Sequence, residues 1–126
     1  MTQPEAFGPL RLEYRLRSGV AVVEVTGEID VSTSALLRER LLRVVTDGRH
    51  RDLVVNLAGV SFIDSAGTGV LVGVWHRVQA EDGVLALAAP SRQARGILRI
   101  SGLAEVLPVY DTEAEAVQAC HRPKAQ

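Results

Sequence analysis

Apolar and charged residues alternate at the start of the patterned region: Leu10, Leu12, Tyr14 and Leu16 against Arg11, Glu13, Arg15 and Arg17. A period of two sends successive side chains to opposite faces, which predicts a half-buried strand. Its basic face suits a sheet edge. Ser18-Gly19 then separates it from a second β-branched run, residues 20–26, so the pair is predicted to form a hairpin. Gly27-Glu28-Ile29-Asp30 leaves that strand. Ser32 or Thr33 can cap a helix whose apolar positions Leu37, Leu41, Val44 and Val45 follow i, i+4, i+7, i+8. Asp47-Gly48 predicts its end, with a left-handed cap at the glycine.

The pattern then changes several times. Residues 52–57 form a short Val/Leu-rich strand, 58–64 a loop, and 65–81 a helix that contains glycines. Residues 84–89 are a continuous apolar run, as expected of a parallel strand covered on both faces. Pro90-Ser91 opens a helix with Ile97, Leu98 and Ile100 inward and Arg92, Arg95 and Arg99 on another side; Ser101-Gly102 ends it. Residues 105–110 form a last strand, and Asp111-Thr112 caps a helix over 113–120. Strands alternating with helices imply right-handed parallel crossovers, which place successive helices on one sheet face. The predicted fold is α/β: a mixed, mostly parallel sheet with an antiparallel edge strand and helices mainly on one face.

Length and composition narrow the function. The 126 residues suit one domain, expected over 10–120, with residues 1–9 and 121–126 as flexible ends. The chain is 47% apolar and 23% charged, ordinary for a globular protein, and its 4% aromatic content disfavours base-stacking surfaces. A formal net charge of −1 leaves no footprint for direct nucleic-acid binding. No run approaches the roughly 18 apolar residues of a membrane span, and the start lacks a secretory pattern, so a cytoplasmic protein without membrane insertion is expected. Cys120 stands alone, and His50, His76 and His121 have no metal-site spacing. No metal or other cofactor is implied. There is no Gly-x-Ser-x-Gly elbow and no Walker element, so a hydrolase is disfavoured and a binding protein expected.

One segment carries chemistry: Asp64-Ser65-Ala66-Gly67-Thr68-Gly69, placed at the carboxyl end of a predicted strand and the start of a helix. Asp64 is an N-cap candidate, which puts Ser65 in the first turn. Free backbone N–H groups and the positive helix end tolerate an added phosphate there. Gly67 and Gly69 each cost about 1 kcal/mol relative to alanine, which implies close approach of something to the backbone. Residue chemistry alone leaves two readings equally open: a plain capping turn, or a phosphate-accepting serine.

The stretch Phe62-Ile63-Asp64-Ser65-Ala66-Gly67-Thr68-Gly69-Val70-Leu71 resembles the signature of STAS domains of the anti-sigma factor antagonist family. Two further blocks extend the resemblance over nearly the whole chain: Val25-Thr26-Gly27-Glu28-Ile29-Asp30, and Ser101-Gly102-Leu103 followed by Leu107-Pro108-Val109-Tyr110-Asp111. The resemblance implies the STAS (SpoIIAA-like) fold and a non-enzymatic partner-switching cycle. In that cycle the unphosphorylated antagonist binds an anti-sigma factor that is also a serine kinase, and a sigma factor is released. The kinase phosphorylates the serine corresponding to Ser65, and a PP2C-type phosphatase reverses it. Asp30 matches an acidic position close to that serine, so Asp30 and residues 64–69 are the implied switch surface. Thr68 replaces a usual aliphatic residue and is expected on the helix surface, where it could change partner choice or serve as a second hydroxyl target. Asn56 replaces a usual aspartate and is expected as a strand-end amide. Similar domains also serve as accessory parts of transporters or stressosome-like assemblies, which is the alternative role. The sequence is compatible with a homodimer.

Overall fold

The computed structural model describes residues 10–48 and 50–121; the expected flexible segments, 1–9 and all but His121 of 121–126, lie outside the described residues. The elements follow as β1 (Leu10–Arg17), β2 (Val20–Ile29), α1 (Ser34–Asp47), β3 (Leu53–Ile63), α2 (Ser65–Ala80), β4 (Leu85–Ala88), α3 (Arg92–Ile100), a 3₁₀ turn (Leu103–Glu105), β5 (Val109–Tyr110) and α4 (Glu113–Cys120). The strands lie side by side in chain order, β1 antiparallel to β2 and the other neighbours parallel. Ser18 and Gly19 close the β1–β2 hairpin with φ of 51° and 81°, the two positive values of a type I′ turn.

Each parallel step, β2 to β3, β3 to β4 and β4 to β5, needs a crossover of fixed hand, so α1, α2 and α3 fall on the same sheet face. There Leu37 and Leu41 of α1, Leu71 and Val74 of α2, and Leu98 of α3 bury against Val23, Val55 and Leu87. Helix α4 follows the last strand and covers the reverse face, packing Ala116 and Val117 on Val22, Val54 and Ala86. The expected architecture, with helices mainly on one face, is the one observed.

Several expected boundaries are corrected. Residues 58–63, expected as loop, continue β3, because β2 also runs on to Ile29 and supplies parallel partners (Gly27 with Val60, Glu28 with Phe62, Ile29 with Ile63). Register irregularities between Glu24 and Thr26 and between Gly27 and Glu28 break the period of two, which hid the strand. Gly48 ends α1 at φ −80°, right-handed rather than left-handed. The strand expected over 105–110 is a 3₁₀ turn followed by two paired residues. Ile100 is 88% exposed rather than inward; Ala94 and Leu98 are the buried positions of α3.

A polar cluster fastens α4 to the sheet. Glu113, buried in the first turn of α4, accepts from both Arg15 nitrogens at 2.7 and 2.8 Å, from Arg17 Nη1 at 2.8 Å and from Asn56 Nδ2 at 2.9 Å. Arg15 also donates to Glu24 at 2.7 Å. The Arg15 hydrogen bonds, with help from Asn56 and Arg17, outweigh desolvation and hold the Glu113 carboxyl down to about 2. The same pairing pushes Arg15 further upward. Asn56 is thus a strand amide, as expected, with its Oδ1 accepting from Ala58 N at 2.8 Å.

Replacing Glu113 by Ala leaves both arginines and Asn56 without their shared acceptor. The expected destabilisation is about 2 kcal/mol, below the usual cost of breaking a buried charge pair because water still reaches the arginines. The sign with pH follows from the depressed carboxyl. Its contribution is complete above the ordinary value of 4.5 and is withdrawn as pH falls toward about 2. Urea unfolding at pH 7 and pH 3 should therefore show a smaller pH loss in Glu113→Gln than in the wild type; equal losses would remove Glu113 as the cause.

Candidate functional site

The carboxyl ends of β2 and β3 lie next to each other, Ile29 paired with Ile63. Asp30 and Asp64 therefore leave adjacent strands at one end of the sheet. Asp64 N donates to Ile29 O at 3.1 Å and ties the two ends together. With an extended backbone, Asp64 caps α2: its Oδ1 accepts from Ala66 N at 2.9 Å and Gly67 N at 3.2 Å. Such a cap contributes about 1 kcal/mol.

Ser65 is the first residue of α2 and is exposed. The capping role thus belongs to Asp64, and the serine stands free of it. The structure also changes the expectation of free N–H groups, since Asp64 already occupies those of Ala66 and Gly67. A phosphate on Ser65 would feel the positive helix end without taking those two donors.

Asp30 shapes the neighbouring turn. Its Oδ1 accepts from Ser32 Oγ at 2.7 Å, Ser32 N at 2.9 Å and Thr33 N at 3.2 Å. The Ser32 hydroxyl above all, with the two backbone N–H groups, holds the Asp30 carboxyl below the ordinary range against a desolvation penalty. Thr33 precedes α1 at the N-cap but makes no side-chain cap. Its buried hydroxyl donates to Glu28 O and accepts from Asp30 N, both at 2.9 Å, and so fixes the loop.

Thr68 is buried at 6% exposure, not on the helix surface, and its hydroxyl donates to Ser65 O at 3.0 Å. This internal bond lets a hydroxyl occupy an otherwise aliphatic position and withdraws it as a second surface target. The two glycines also part company. A Cβ on Gly67 would lie 2.6 Å from both Ile29 Cγ2 and Ile63 Cγ1, whereas one on Gly69 meets no heavy atom within 4 Å. Close approach is real at Gly67, where the first turn of α2 sits on the strand ends, and is not the reason for Gly69.

Gln93, in the first turn of α3, escaped sequence reasoning. Its Oε1 accepts from Ile63 N at 2.9 Å and its Nε2 donates to Ile63 O at 2.8 Å. Strand β4 pairs with β3 only over Leu53 to Asn56, so the amide acts as a one-residue strand substitute beside the Asp64-Ser65 turn. No periodicity distinguishes it from a solvent-facing glutamine. Of the three arginines of α3, Arg95 pairs with Asp111 at 3.0 Å, and Arg92 and Arg99 are exposed. Among the described residues, no group of three or more His, Cys, Asp or Glu could hold a metal.

The glycine contrast has a direct consequence. Gly67→Ala is expected to destabilise the fold by about 2 kcal/mol through overpacking, while Gly69→Ala should stabilise it by about 0.8 kcal/mol through helix propensity. Thermal or urea unfolding of the two variants measures this, and equal effects would contradict the packing described.

Comparison with known proteins identifies the family. The STAS domain model matches residues 11–116. An anti-sigma F factor antagonist of Paenibacillus polymyxa is 29% identical over 108 residues, 86% of this chain and 92% of that protein. The crystal structure of an anti-sigma factor antagonist from Mycobacterium paratuberculosis superimposes with a TM-score of 0.82 at 28% identity, covering 97% of this chain and 100% of that one. The Bacillus cell fate determinant SpoIIAA, solved in its phosphorylated form, superimposes with a TM-score of 0.66 at 26% identity, covering 87% and 97%. Relatives named as anti-sigma factor antagonists thus share the fold over almost the full length, and the chain belongs to the STAS domain family.

Proposed function

We propose that this protein is an anti-sigma factor antagonist whose unphosphorylated form binds an anti-sigma factor with serine-kinase activity and so releases a sigma factor, and that phosphorylation of Ser65 switches this binding off. A PP2C-type phosphatase restores the binding form. The observation that carries the reading is the exposed Ser65 hydroxyl on the first turn of a helix whose cap is already supplied by Asp64. The serine is free to be modified without loss of the cap. A phosphorylated state of a relative of the same fold supports it.

The surroundings suit a protein surface. Val31, 80% exposed, follows Asp30, and Phe62, 41% exposed, is the second-to-last residue of β3, two before Asp64. Apolar side chains beside two carboxylates make a patch that a partner can desolvate. Phosphate adds about −1.5 to −2 charges next to Asp64 and across from Asp30. The helix end tolerates the charge, so the penalty falls on the bound state. Losing complementarity there costs roughly 2–5 kcal/mol, about 30- to 4000-fold in affinity.

Incubation with the cognate anti-sigma factor and ATP should add one phosphate to the wild type and none to Ser65→Ala. The alanine variant should still bind, and Ser65→Glu should bind at least roughly 30-fold more weakly by calorimetry. Full phosphorylation of Ser65→Ala would overturn the assignment.

A further inference from the structure

Strand β1 has an outer edge as well as an inner one. The type I′ turn closes on the pair Arg17–Val20, and the closing pair of a two-residue hairpin exchanges its hydrogen bonds. Arg11, Glu13, Arg15 and Arg17 therefore direct their backbone groups toward β2. Leu10, Leu12, Tyr14 and Leu16 direct theirs outward, where no strand among the described residues meets them. Tyr14 and Leu16 are 48% and 56% exposed. A hollow with Leu12, Tyr14, Val23 and Val44 on its walls, and Arg40, Arg43 and Asp47 along its α1 side, opens beside this edge. An eight-residue edge with exposed apolar side chains is a template for strand addition.

We propose that β1 pairs antiparallel with β1 of a second copy of this chain, about a two-fold axis through Tyr14, and joins two sheets into one. The sequence is self-complementary in that register. Tyr14 meets the other copy's Tyr14, and Leu12 faces its Leu16 over the hollow. On the opposite face Glu13 meets Arg15, twice by symmetry, adding a carboxylate beside a guanidinium that also bonds Glu113 and Glu24. Moving the axis to Glu13 sets Glu13 against Glu13 and Arg11 against Arg15, and moving it to Arg15 sets Arg15 against Arg15. Like charges directly opposite are destabilising. Axes between residues bring an apolar face onto a charged one. The chosen register leaves one like pair, Arg11 with Arg17, and Arg17 is already bonded to Glu113. The contact is small, so a weak dimer, with a Kd of roughly 10–100 µM, is expected. It leaves Ser65, two strands inward, uncovered, and does not depend on the switch proposed above.

The register is testable by cross-linking in a Cys120→Ala background. Opposed Cα atoms of a hydrogen-bonded pair lie about 5.5 Å apart, within disulfide range. Tyr14→Cys should oxidise to a covalent dimer. Leu16→Cys should do so at least tenfold less, because its counterpart lies about 13 Å away along the strand. In sedimentation equilibrium the wild type should rise with concentration from 13.6 kDa toward twice that mass. A Glu13→Arg variant, shown to be folded by circular dichroism, should weaken association at least tenfold. A wild type that stays at 13.6 kDa up to about 1 mM, or equal cross-linking at the two positions, would overturn the proposal.

Discussion

The rest of the structure depends on one close approach, that of the first turn of α2 to the ends of β2 and β3. Gly67 is the contact, since its missing Cβ makes room for Ile29 and Ile63. Those two residues are paired across the strands and fully buried, so the helix start is set on the firmest part of the sheet end. The Asp64 N to Ile29 O bond then fixes the one residue between strand and helix, and the Gln93 amide holds Ile63 just before it. Ser65 inherits its position from this frame. An exposed side chain on a rigid base can change its charge without moving its backbone.

The electrostatics of the two neighbouring aspartates follow the same logic. Asp30 and Asp64 each spend an oxygen on backbone N–H groups of the following turn. They hold loops in place, and Asp64 puts its negative charge next to Ser65 in the chain. A partner that covered those charges would have to meet them with complementary groups, so the proposed switch would be sensitive to a further anion. Glu113 uses the same chemistry differently. Buried on the reverse face and surrounded by Arg15, Arg17 and Asn56, it acts as a fastener between β1, β3 and α4. Burial and number of donors, not residue type, separate the two roles.

How much of this could be read beforehand differs by element. The hairpin, α1 and α4 were legible because their hydrophobic periods are regular and their turns carry Ser-Gly or Asp-Thr. The second half of β3 was not, because bulges in the pairing with β2 and the small residues Ala58 and Gly59 erase the alternation. At the site, the cap by Asp64 and the place of Ser65 followed from local rules. The burial of Thr68 did not, since a threonine on a helix carries no mark of which way it faces until the helix is docked. Gly67 and Gly69 look equivalent in sequence and differ only in what lies opposite. Gln93 and Glu113 act through partners 30 to 98 residues away, a distance that no local pattern spans.

These separations bear on the proposed switch, in which a phosphate on Ser65 would control binding without threatening the fold. A domain of this size is stable by about 5–15 kcal/mol, and an interface penalty of roughly 2–5 kcal/mol imposed on the core would consume much of it. Here the Ser65 side chain is exposed and takes no part in the hydrogen bonds that hold the start of α2. The cap is made by Asp64, the close packing by Gly67, and the hydroxyl bond beneath the turn by Thr68, which takes the Ser65 carbonyl and not its side chain. The N–H groups of Ala66, Gly67 and Thr68 are all met by Asp64 and not by the serine. The free energy of modification therefore has only one place to appear, at the surface where a partner would meet Ser65, Val31 and Phe62.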